Sequence, residues 1–174
     1  MIFIDNRGGP ELTPEWGCPP FFGEHAMIFI ESEPDQTFPT DLLERAARAA
    51  LDLSGVPDAD LTIALVDDVR IQALSRDFLA HDAPTDVLSF PADEPDPETG
   101  RRYLGDVVIS LARAEQQARE RGHALESEMQ LLVVHGVLHL LGHDHAEAGE
   151  KTRMWAAQAE ALERLGVSPN IVHE

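Results

Sequence analysis

The sequence predicts an α+β domain of α/β-like organisation: a small mixed sheet of about four strands packed with about five helices, with a metal site at the end of a central helix. Three observations point there. Short β-branched runs alternate with stretches of helical apolar periodicity through the first two thirds of the chain. The last third carries helical periodicity alone. At the end of the most apolar of those helices stand three histidines in the order H-x3-H-x2-G-x2-H.

Residues 1–26 are rich in glycine and proline without a sustained period, which reads as an irregular extension ahead of a single domain over residues 27–174. Met27 opens the strand-like run MIFIE. The same four letters stand at residues 1–4, so the pattern fits a duplicated strand or a start misassigned from Met27, and the second is favoured. Thr40 is placed to cap a helix over residues 40–53, with Asp41 and Glu44 in its first turn, an apolar face of Leu42, Leu43, Ala46, Ala50 and Leu53, and Gly55 and Pro57 closing it. LTIALV at residues 61–66 is of strand length and β-branched. Residues 67–79 return to helical spacing through Val69, Ile71, Leu74 and Phe78.

Pro84 precedes the next strand, TDVLSFP at residues 85–91, and the charged, proline-rich ADEPDPETGRR after it reads as a mobile loop. LGDVVIS at residues 104–110 is the fourth strand. Helical stretches at residues 111–121, 125–141 and 146–165 complete the chain.

Thirteen Lys and Arg stand against 32 Asp and Glu, a formal net charge of −19 over 174 residues. With 43% hydrophobic residues, a globule of this length buries roughly 70% of the surface its unfolded chain exposes, so disorder throughout is excluded. Tight nonspecific binding to nucleic acid or anionic membrane ordinarily shows as an excess of Lys and Arg, so the charge argues against both. The single cysteine, Cys18, allows no intramolecular disulfide. No basic start followed by an apolar core opens the chain, and the apolar stretch at residues 131–141 is too short to span a bilayer. The expected setting is the cytoplasm, with no membrane partner.

On a helix, His135 and His139 lie about 40° apart round the axis and roughly 6 Å along it, the geometry of two imidazoles sharing one ion. His145, six residues on, would be carried away if the helix continued. Gly142 is free to adopt a positive φ and let the chain double back. Burying two imidazoles beside Val134, Leu138 and Leu140 without partners would leave each with an unmet polar group, which favours ligands over core histidines. Three neutral nitrogen ligands leave a fourth position open for water, the catalytic pattern, and one Zn²⁺ is the expected occupant. His143 is the weaker choice as a ligand, and Asp144 is placed either to orient an imidazole or to sit exposed in the turn. His25, His81, His123 and His173 have no ligand spacing and read as surface residues.

The same spacing occurs in metzincin proteases, HExxHxxGxxH, where the Glu after the first His is the general base. Here that place is Gly136, so a metallopeptidase-like reading keeps the metal and loses its proton acceptor.

HGVLHLLGHDH, PTDVLSFP and LGDVVIS, in this order and separation, together resemble the YbeY family of bacterial endoribonucleases over residues from about 61 to 165. The resemblance implies a zinc-dependent, single-strand-specific endoribonuclease acting in 16S rRNA 3′-end maturation and ribosome quality control. Its partners would be single-stranded RNA, small-subunit rRNA or the ribosome, with a ribosomal protein as a further, unnamed contact. It places the three family ligands on His135, His139 and His145. Ahead of PTDVLSFP the family reads LN, two residues, an aromatic and Arg, whereas this chain has Ser75 and Leu79 in the Asn and Arg places. Arg76, three residues before Leu79 on the predicted helix, is the candidate to bring a guanidinium to the phosphodiester. A noncatalytic ribosome-assembly factor with structural zinc is the alternative that Leu79 supports.

Residues 101–121 hold five arginines against three acids, a locally basic stretch in an acidic chain. Arg113 and Arg119 are its candidates for RNA phosphate contact, weighed against a solvated helix face with internal ion pairs.

Overall fold

LTIALV is apolar at every position, and the strand it builds is buried along its whole length: β3 (Asp60–Val66) presents Leu61, Ile63 and Leu65 to one face of the sheet and Ala64 and Val66 to the other. The computed structural model describes residues 2–3, 26–95, 100–145 and 147–171. Around β3 stand β2 (Ile28–Ser32), parallel to it, and β5 (Arg102–Ser110), also parallel. β4 (Val87–Pro95) is antiparallel to β5, and the two-residue β1 (Ile2–Phe3) adds parallel to β4, giving the order β1-β4-β5-β3-β2. The sheet is mixed and its four longer strands are those expected. Both copies of the repeated MIFI letters supply edge strands, at opposite edges. Ile2–Phe3 is thus extended where an irregular segment is expected, and residues 1 and 4–25 lie outside the described residues.

The expected loop after SFP is instead largely sheet. β4 runs on to Pro95 and pairs with β5 from Arg102, with a register shift between Pro91 and Glu94 that accommodates the extra backbone. Gly105 sits opposite this hairpin at φ 122°, where a Cβ would lie 2.0 Å from the Phe90 carbonyl oxygen, so only glycine fits. Residues 96–99, the middle of the expected mobile loop, lie outside the described residues.

Strand alternation divides the apolar residues into two cores. On one face, Ile63, Leu65, Val107 and Ile109 pack under α1 (Thr40–Leu53), α3 (Leu111–Arg121), α4 (Leu125–Leu140) and α5 (Ala148–Arg164). On the other, among the described residues, Ala64, Val66, Leu88, Phe90 and Val108 pack against α2 (Asp68–Leu79), through Ile71, Leu74, Phe78 and Leu79. α4 is buried without a break from Glu128 to Leu140, touching the sheet as well as α1, α3 and α5. A helix apolar on all sides belongs in such a place.

Two helix starts carry side-chain caps. Asp67 Oδ1 accepts the Arg70 N–H at 2.7 Å, and Ser110 Oγ accepts that of Arg113 at 3.2 Å. Thr40 does not cap α1 as expected, because it lies inside the first turn after Pro39, and no side chain caps that end. His123, expected on the surface, bonds through Nε2 to the fully buried Glu128 carboxylate, which also accepts from Arg121 Nη1 at 2.8 Å. This clasp joins the end of α3 to the start of α4.

Candidate metal centre

α4 ends where its own sequence dictates. Gly142 adopts φ 85°, its N–H reaches the His139 carbonyl at 2.9 Å, and the His143 N–H reaches that of Leu138 at 3.0 Å. These paired bonds make a Schellman motif, which reverses the chain after α4. His145 is thereby returned to the two helix histidines. The ring centroids are 4.5 Å apart for His135 and His139, 5.1 Å for His139 and His145, and 5.7 Å for His135 and His145. One nitrogen from each of the three rings lies within 4.8 Å of the others.

Hydrogen bonding fixes which nitrogens face inward. His135 Nδ1–H donates to Gln158 Oε1 at 2.9 Å, and His139 Nδ1–H to the His143 carbonyl at 2.9 Å. Each ring therefore keeps the Nε2 lone pair for the cluster. His135 Nε2 is buried with no hydrogen-bond partner among the described residues, a cost that a bound ion would offset. Burial, then the neighbouring imidazoles His139 and His145, push the His135 pKa down to about 3, despite Gln158. Burial, then His145, pushes His139 down to about 4. Both are neutral at neutral pH, the state a metal ligand needs. An orphaned buried nitrogen among three converging imidazoles fits a divalent zinc-type ion.

Trp155 stands edge-on to His135 at 6.3 Å and to His145 at 5.7 Å, and Lys151 Nζ lies 5.3 Å from its ring centroid. An apolar wall thus flanks the two outer imidazoles. Asp144 does not orient an imidazole, since its Oδ1 accepts the His145 backbone N–H at 2.6 Å and tightens the turn. His143 contributes its carbonyl and not its ring. Burial and then the positive charge of Arg153 lower its pKa.

The arginine candidates are placed elsewhere. Arg76 lies on the exposed side of α2, on the sheet face opposite α4, with its Nε on Asp77 at 2.9 Å. Leu79 packs against the small core under α2. Arg113 Nε holds Asp68 Oδ2 at 3.1 Å, tying α3 to the start of α2. Arg119 is exposed on α3 and pairs with Glu115 four residues earlier. Arg101 and Arg121 are likewise engaged, with Asp60 and Glu128. The basic stretch is thus largely consumed by internal carboxylates.

Gln158, Trp155 and Arg153 had no part in the sequence reading. For Gln158 there was a signal: it is polar on the apolar face of α5 with Met154, Ala161 and Leu162. We expect Gln158→Leu to fold and to weaken zinc binding about 10–100-fold, measured by competition with a chromophoric chelator. Gln158→Glu keeps the acceptor and should retain affinity. Equal affinity of the Leu variant and the native protein would show that the contact does not orient His135.

The model of the family Endoribonuclease YbeY matches residues 29–166, which extends the resemblance upstream through β2 and α1. A protein of Pelotomaculum thermopropionicum named endoribonuclease YbeY is 47% identical over 133 residues, covering 74% of this chain and 88% of its own length. One of the same name from Syntrophotalea carbinolica is 43% identical over 144 residues, covering 80% and 95%. A solution structure of a Thermotoga maritima protein superposes with a TM-score of 0.54 at 27% identity, over 80% of this chain and 92% of that one. By the family match, these identities and this shared fold, the chain belongs to the YbeY endoribonuclease family.

Proposed function

We propose that this chain is a zinc-dependent endoribonuclease that cleaves single-stranded RNA in the cytoplasm, acting on the 3′ end of 16S rRNA and in ribosome quality control. The observation that carries the reading is the buried, partnerless His135 Nε2 among three converging imidazoles, in a chain of this family. His135, His139 and His145 would hold the ion, which supplies Lewis acidity and a nucleophile active at neutral pH.

The surrounding residues do the rest of the work. Gln158 and the His143 carbonyl hold the two buried rings by their Nδ1–H groups. Trp155 keeps water from one side, which strengthens electrostatic interactions at the site. Gly136, where a metzincin keeps its general base, lies against Val107 and Ser89 in the core, so no side chain can project there. This argues against peptidase chemistry. Three imidazole ligands and no fourth among the described residues argue against purely structural zinc. With a net charge of −19 and most basic side chains paired, ground-state affinity for RNA is weak, and docking on a ribosomal protein would raise the local substrate concentration.

Zinc-loaded protein is expected to cleave a single-stranded oligoribonucleotide and leave its duplex intact. A chelator should abolish cleavage, and added zinc restore it. Activity that survives complete metal removal, or equal cleavage of the duplex, contradicts the proposal. In cells, depletion of the protein should lengthen the 3′ end of 16S rRNA.

A further inference from the structure

The turn that returns His145 to the cluster also forms one wall of a cleft. Leu141, Gly142, His143 and Asp144 face Glu150 and Arg153 of α5 across a cavity of about 230 Å³. Two of its residues are tied directly to the metal centre: the His143 carbonyl receives the His139 Nδ1–H, and Asp144 binds the His145 backbone. Anything lodged in this cleft sits beside the ligand loop.

Arg153 is exposed on α5, and its state differs from that of the other arginines discussed above. Arg76, Arg101, Arg113, Arg119 and Arg121 all pair with carboxylates. Among the described residues Arg153 forms neither an ion pair nor a hydrogen bond, although Asp144 and Glu150 line the same cleft. In a chain with 32 acidic residues, a guanidinium left unneutralised beside two carboxylates is an available fork of donors. The two carboxylates repel an anion from the rest of the cleft. The one place where an anion is favourable is against Arg153, where a phosphodiester can be bound in the bidentate manner guanidinium favours.

We propose that Arg153 binds a backbone phosphate of the single-stranded RNA substrate in this cleft and so holds the strand against the metal centre. The inference rests on the RNA-cleaving reading above and assigns the substrate contact that the paired arginines of residues 101–121 do not supply. Arg153 is a substrate-binding residue. The hydrogen bonds that hold the His135 and His139 rings run to Gln158 and the His143 carbonyl and do not involve the Arg153 side chain, so its loss should leave the ion in place.

The test is steady-state cleavage of a single-stranded oligoribonucleotide by zinc-loaded Arg153→Ala, Arg153→Lys and Arg153→Glu, with zinc content measured on each. Losing one charge-assisted contact should raise KM about tenfold for Ala, with more for Glu and less for Lys, while kcat stays within about threefold. The slope of log kcat/KM against log salt should flatten by about 0.7 in the Ala variant, one single-strand phosphate contact. Binding of a fluorescein-labelled single-stranded phosphorothioate oligonucleotide, followed by anisotropy, should weaken in the same order. Native KM and salt slope in Arg153→Glu overturn the inference, as does a fall in kcat at unchanged KM. A native protein that fails to cleave RNA at all contradicts the proposed function instead, and the anisotropy series then still reads Arg153 by itself.

Discussion

His139→Ala should yield a folded protein that has lost its bound zinc and cleaves RNA at least ~10³-fold more slowly than the native chain. His139 lies between the other two rings, closer to each than they are to one another, so its removal leaves His135 and His145 with centroids 5.7 Å apart and no ligand between them. The substitution also strips the His143 carbonyl of a donor, at a cost of ~1–3 kcal/mol, which a globule with this core can tolerate. Metal analysis of the purified variant, circular dichroism and single-turnover cleavage read the three parts separately. His143→Ala supplies the contrast: because that residue lends the centre its backbone and not its ring, its zinc content should remain native. Full activity in a folded, zinc-free His139→Ala protein would remove the histidine cluster from the chemistry altogether.

Gly136→Ala is expected to be strongly destabilising, by ~3 kcal/mol or more in urea unfolding. A Cβ there would lie 2.5 Å from Val107 Cγ1, 3.1 Å from Val107 Cγ2 and 3.3 Å from Ser89 Oγ. Val107 is β-branched, stiff at χ1 and fully buried in a central strand, so neither methyl can swing away. The helix would have to lift from the sheet, breaking the 3.0 Å bond from Ser89 Oγ to the Gly136 carbonyl and displacing His135 next to it. Val107→Ala placed in the same chain opens the space, so the double variant should be more stable than the sum of the two single losses predicts. Gly136→Glu adds a buried carboxylate to the same clash and should fail to fold rather than acquire peptidase activity. A Gly136→Ala protein within 1 kcal/mol of native stability would show that the helix and sheet are not in this close contact.

The role of Gly136 marks where sequence reading stops. Its lack of a carboxylate was evident in the letters and bears on peptidase chemistry. What the letters did not carry was that the position meets β4 and β5, because that depends on how far α4 stands from the sheet. The three ligands were legible for the opposite reason: helical spacing and a glycine turn are local, and they fix His135, His139 and His145 relative to one another without the rest of the fold. Elements with strong local periods were found to within a few residues, as α3 at Leu111–Arg121 shows. The hairpin past Pro91 was hidden because acidic and proline-rich letters resemble a loop until a partner strand is known. Arginine function was least legible. Whether a guanidinium is spent on a carboxylate is settled by residues distant in the chain, Asp68 for Arg113 and Asp60 for Arg101.

Because of the reversal after Gly142, a metal bound by the three histidines would have a mechanical role as well as a chemical one. Two of the three ligands lie in the most buried helix of the domain and the third lies beyond its end, on the segment that leads into α5. An ion held by all three fastens that segment to the core, so part of the binding free energy becomes local order at the α4–α5 junction. At free zinc 100 times its dissociation constant, the folded state gains ~2.7 kcal/mol. Asp144, His145 and the first two turns of α5, with Glu150 and Arg153 on them, would then be kept in register by cation availability, and metal supply would set the rigidity of the cleft they line.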